Sequence, residues 1–147
     1  MNRVLKLQRI DKSTLVGLAA FEGGSVHEEL VRRAMAFRVQ IIKQLTSSEV
    51  AQVANYMGGK LVDCKIDEAT AWTLELSPFA RFGIYYFLQR YAPEFKDNIH
   101  VMYSKEALEI GLPGEDVATL TILFANAIVY CARKTLGREL PRISRYL

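Results

Sequence analysis

Histidine and cysteine are scarce in this 147-residue chain, two of each, and the scarcity removes whole classes of chemistry. Cys64 and Cys131 sit in apolar company without CxxC spacing, the pattern of reduced core thiols rather than of a disulfide framework. Neither has the electropositive, exposed setting that activates a thiol. His27 and His100 lack a third ligand pattern, so no metal or cofactor is expected. GxSxG, GxGxxG and Walker sequences are missing as well. Gly23 and Gly24 precede Glu28 and Glu29, whose charge would repel a phosphate, and read as a turn. No catalytic residue is expected, and the chain leans away from an enzyme.

A continuous apolar run is also missing from the first residues. The segment MNRVLKLQRIDK alternates charged and apolar positions and lacks the apolar centre of a signal peptide, so a cytoplasmic protein is expected. Charge of one sign is short overall, with a net +3. Its distribution is uneven: residues 1–12 carry four cations against Asp11, residues 133–147 carry five against Glu139, and the 120 residues between them sum to −4. Basic ends could contact phosphate, yet no nucleic-acid-binding signature accompanies them. They read as solvated or protein-contacting, and nucleic acid is not an expected partner.

What is present is half hydrophobic and fits a single domain, residues 1–147. The uncharged segment Val117 to Ala132 is the longest, interrupted only by Thr119, Thr121 and Asn126. Glu115 and Asp116 suit the positive end of a helix, and Arg133, Lys134 and Gly137 the other. With no solvent face to draw, it reads as a buried helix at the centre of a soluble core, short of the ~20 apolar residues of a membrane span. Asn126 in its middle requires partners.

Taken in order, Val4 to Ile10 and Thr14 to Phe21 read as an N-terminal hairpin. Ser25 to Glu28 reads as a capping box opening a helix whose inward stripe is Val26, Leu30, Ala34, Phe37, Ile41 and Leu45. Thr46 to Glu49 repeats the box before a short helix that ends at Gly58 and Gly59. Lys60 to Ile66 and Thr70 to Leu76 read as a second hairpin, with Cys64 opposite Trp72 and Val62 opposite Leu74. Ser77 and Pro78 look like the start of an aromatic helix over residues 78–92. Asn98 to Tyr103 reads as a fifth strand, followed by a short helix over residues 105–110 capped by Ser104.

The expected fold is therefore α+β: an antiparallel sheet of about five strands, two hairpins plus one strand, packed by helices and a buried C-terminal helix. The fragment TLELSPFARFG, residues 73–83, resembles part of small-ligand-binding domains of the vinyl-reductase type. It covers too little of the chain to carry a function across.

Two functions follow from the residues. The first is a non-catalytic interaction or assembly module, a homo-oligomer or subunit of a larger complex, using the aromatic segment and the basic tail with Arg138, Arg142 and Arg145 as contacts. The second is a small-molecule binding protein or small enzyme taking an apolar ligand. Its pocket would lie between sheet and helix 78–92, lined by Trp72, Tyr85, Tyr86, Tyr103 and Asn126, with Arg81 or His100 as polar handle.

Overall fold

The β-branched and aromatic residues of the middle third form strands in the computed structural model, which describes residues 6–91 and 96–142. Strands β2 (Lys60–Val62), β3 (Thr70–Phe79), β4 (Phe82–Gln89) and β5 (Asn98–Ser104) run as an antiparallel meander, and β1 (Leu15–Val16) adds to the free edge of β5. The order across the sheet is β1-β5-β4-β3-β2. From β1 the chain crosses to the opposite edge through helices α1 (Glu28–Ile42) and α2 (Ser47–Tyr56), then returns along the meander and ends in helix α3 (Gly114–Thr135). This is the expected α+β domain on a five-stranded antiparallel sheet.

Two layers of side chains sandwich the central strand. Phe82, Ile84, Tyr86 and Leu88 of β4 join the main core under the helices, with Trp72, Leu74 and Leu76 of β3. Tyr85 and Phe87 point the other way, into a smaller core with Leu15, Val62 and Cys64. All eight residues of β4 are consequently buried. A strand covered on both faces reads as a continuous apolar run instead of an alternation.

That double burial corrects the aromatic helix over residues 78–92. Pro78 lies in β3, at a register shift between Leu76 and Phe79, where the ladder is interrupted and a missing N–H costs little. A tight turn through Arg81, whose φ of 69° is left-handed, leads into β4. Phenylalanine and tyrosine pack well on a pleated surface, and that preference won over the Ser-Pro helix signal.

Other boundaries move as well. The described part of the first strand, residues 6–10, makes only a parallel bridge from Arg9 to Asp63, and the second contracts to Leu15–Val16 before a 3-10 turn at Leu18–Ala20. No N-terminal hairpin forms among the described residues. Ser25 makes no cap: Gly24–His27 is a 3-10 turn and α1 starts at Glu28 without a side-chain cap. The buried stripe of α1 rotates accordingly, to Val31, Ala34, Met35, Val39, Ile41 and Ile42, and Val26, Leu30 and Phe37 face solvent.

The Thr46 to Glu49 capping box does form, with both reciprocal bonds made. Pairing of β2 slips by one residue, Val62 opposite Thr73 and Leu61 opposite Leu74, which sends Val62 and Cys64 to the smaller core instead of beside Trp72. The Thr73 hydroxyl fixes the slip by donating to the Cys64 carbonyl. Asn98–Ser104 forms the fifth strand as expected, and Lys105–Ile110 is a 3-10 helix closed by Gly111. Ser104 does not cap it; its hydroxyl accepts from the Gly83 amide and donates to the Arg81 carbonyl.

Helix α3 is half-buried, not buried all round. Val117, Ala118, Thr121, Ala125, Ile128, Val129 and Ala132 pack inward, and Leu123 and Tyr130 are 54% and 62% exposed. Its length and composition alone would suffice to cross a membrane, yet its inner face is fastened to the sheet by hydrogen bonds described below.

A candidate interaction surface on the α1–α3 layer

The start of α3 lies against the turn preceding α1. Gly114 N–H donates to the Glu22 carbonyl at 2.7 Å, and the two backbones meet so closely that a Cβ on Gly114 would sit 2.3 Å from the Gly24 Cα. Twelve residues along α3, Asn126 Oδ1 accepts from Arg38 Nε at 2.7 Å. The two helices therefore run side by side in the same direction. Arg38 also donates to the Ala34 carbonyl at 2.8 Å, and partial burial lowers its pKa. Asn126 thus finds its required partner in a neighbouring arginine.

Beneath this layer, Thr121 is the anchor. Its hydroxyl donates to the Val117 carbonyl at 2.7 Å, so the same oxygen must accept from the Tyr103 hydroxyl, also 2.7 Å away. The Tyr86 hydroxyl donates to the Thr121 carbonyl at 2.7 Å. Burial pushes the Tyr103 phenol up to about 12 and raises Tyr86 well above its usual value. Both remain neutral donors and tie α3 to β4 and β5.

The layer also leaves large apolar side chains in solvent: Leu30 and Phe37 of α1 are 56% and 59% exposed, and Leu123 and Tyr130 of α3 are exposed as well. The Lys134 ammonium stands 5.6 Å from the centre of the Tyr130 ring.

The residues expected to line a pocket do not converge. Trp72, Tyr86 and Tyr103 are buried in the main core, and among the described residues the Trp72 indole N–H has no hydrogen-bond partner. Tyr85 lies on the opposite face of the sheet, its phenol pKa raised by burial and by Glu75. Arg81, at the β3–β4 turn, pairs with Glu109. His100 projects from β5, 6.4 Å from the Phe87 ring centre, and borders an open depression of about 410 Å³ beneath α1 that also touches Tyr103. Sequence reasoning missed the α1 part of the surface: Leu30 and Phe37 are apolar at helical spacing, and only the true start of α1 shows which side they take.

The basic tail partly folds back. Arg138 clasps Glu49 with two 2.8 Å bonds and donates to the Gln44 carbonyl. Arg133 donates to the carbonyls of Leu140 and Pro141, and Leu140 is buried. Arg142 is exposed, and Arg145 lies outside the described residues. Among the described residues no three His, Cys, Asp or Glu side chains gather in a metal-binding group.

No family model, curated protein or solved structure matches this chain.

Proposed function

We propose that the protein is a non-catalytic assembly module that associates with protein through the outer face of the α1–α3 layer. One observation carries this reading: two parallel, packed helices each keep a pair of large apolar side chains, Leu30 and Phe37 on α1 and Leu123 and Tyr130 on α3, more than half exposed. A soluble chain rarely gathers this many exposed large apolar side chains in one layer unless something docks there. The segment 117–132 is uncharged on every side, and the fold itself covers only its inner half. A homo-oligomer is the simplest way to cover the rest. Both cysteines are free thiols, as a reducing compartment keeps them, and the same reading puts the module in the cytoplasm, with neither nucleic acid nor membrane as partner.

Light scattering on the purified chain over a hundredfold concentration range tests it. The expected result is a mass that rises above 16.6 kDa with concentration. A constant monomer mass with no co-purifying protein would contradict the reading.

A groove beside α1 supports a second reading. It is an open groove of about 900 Å³ lined by Phe37 and Tyr91 together with Arg32, Lys43 and Lys96 against one acid, Asp97, a cationic balance suited to an apolar ligand bearing an acid group. A thermal shift produced by small aromatic carboxylates would favour it, and a flat response across such a panel would remove it.

A further inference from the structure

The outer stripe of α3 has a spacing that reads the same in both directions. Asp116, Leu120, Leu123, Ala127, Tyr130 and Lys134 follow one another at steps of 4, 3, 4, 3 and 4 residues. At 3.6 residues per turn they occupy an arc of roughly 80°, on the side of the helix away from the buried stripe of Val117, Thr121, Ala125, Ile128 and Ala132. Leu123, Tyr130, Asp116 and Lys134 are exposed, and Leu120 and Ala127 are half-buried. Alternating steps of three and four are the seam pattern of a paired helix.

The ends of this stripe carry opposite charges. Asp116 lies in the first turn and Lys134 in the last, and among the described residues neither takes part in an ion pair within the chain. A two-fold axis at the level of Ala125, perpendicular to the helix, maps each stripe position onto another: 116 onto 134, 120 onto 130, and 123 onto 127. The large Leu123 would then meet the small Ala127, leaving room at the centre, and Leu120 would meet the apolar ring of Tyr130 on either side of it. Both ends close with opposite charge, and the Lys134 ammonium is already held over the Tyr130 ring.

We infer that α3 pairs antiparallel with α3 of a second copy of this chain, in the register that sets Asp116 against Lys134 at both ends. The contact is isologous, as a closed dimer requires. A parallel pairing would put Asp116 against Asp116 and Lys134 against Lys134, and is disfavoured by the same charges. A lipid surface offers no counterpart for the acidic end. The pairing rests on the assembly reading and specifies its geometry.

Sedimentation velocity on the full chain tests it through charge exchange. Asp116→Lys alone and Lys134→Asp alone should each weaken self-association by roughly tenfold, since each turns two opposite-charge contacts into two like-charge ones. The double variant should recover wild-type affinity, and an equimolar mixture of the two single variants should form a heterodimer. Leu123→Glu, exposed in the single chain, should abolish association with the fold intact by circular dichroism. Tyr56→Glu on α2, 67% exposed and off the seam, should change nothing. A wild-type dimer unmoved by Leu123→Glu, or not rescued by the double exchange, overturns this pairing and leaves the assembly reading in place. A wild-type chain that stays monomeric and takes up no protein overturns both. Adsorption of monomer to vesicles of mixed zwitterionic and anionic lipid without self-association would also overturn the pairing.

Discussion

At the scale of single residues, buried polar groups decide how firmly α3 is held. The Thr121 hydroxyl receives one tyrosine and gives to its own helix, and the Thr121 carbonyl receives a second tyrosine. Thr121→Val keeps the shape and strands the Tyr103 hydroxyl in the core. Leaving a buried donor unmade costs about 1–3 kcal/mol, so urea unfolding should show a loss in that range, and a loss below about 0.5 kcal/mol would mean that water reaches the site. At the surface, Arg138 holds the Glu49 carboxyl down to about 2, against a usual 4.5. A carboxyl whose pKa is depressed in the folded state stabilises fully above its unfolded value and loses that contribution as pH falls through the folded one. The melting temperature of Glu49→Gln should therefore lie below wild type at pH 6 and converge with it toward pH 2. Equal values at both pH values would show the Arg138 clasp to be thermodynamically silent. Glu29, also held at about 2 by Arg32 and Arg33, titrates in the same window in both proteins and cancels. The need of Asn126 for a partner was legible in the sequence. That the partner is Arg38 was not, because 88 residues separate them.

Elements divide into those with a local signature and those without. The Thr46 to Glu49 box, the Gly58 stop and the strand Asn98–Ser104 were legible because their determinants lie within a few residues. The β3–β4 hairpin was not: burial on both faces erased the alternation that marks a strand, and Ser77-Pro78 supplied a false helix start. The β2 register was missed for a similar reason, since Cys64 and Trp72 are both apolar and only the existence of two separate cores tells them apart. Gly114 exposes another non-local demand. Gly114→Ala must push apart the backbones of the α3 start and the turn before α1, with an expected cost of about 1–3 kcal/mol in chemical denaturation. Gly17→Ala, with nothing within 4 Å of the added methyl, should stay within about 0.5 kcal/mol of wild type. Equal effects at the two sites would contradict the close approach.

Over the whole molecule, fold class could be read from element order, and the placement of the working surface could not. The expectation of a buried C-terminal helix followed from its lack of charge, and the fold honours it on one side only. The inner half meets the sheet, and the outer half, with Leu123 and Tyr130, lies in water. Most of the expected aromatic contact surface at 78–92, Phe82 to Gln89, turned out to be core, and exposed apolar side chains appear on the helical layer on the same side of the sheet as the main core. Solvent exposure of the single chain and its loss on association are what the account turns on. Hydroxyl-radical labelling of Tyr130, with Tyr56 as internal reference, measures that directly. Both tyrosines are more than 60% exposed in the single chain and should label equally in dilute solution. At high concentration Tyr130 should become protected as Tyr56 stays fully labelled; equal labelling of the two at every concentration, up to the solubility limit, would contradict the account.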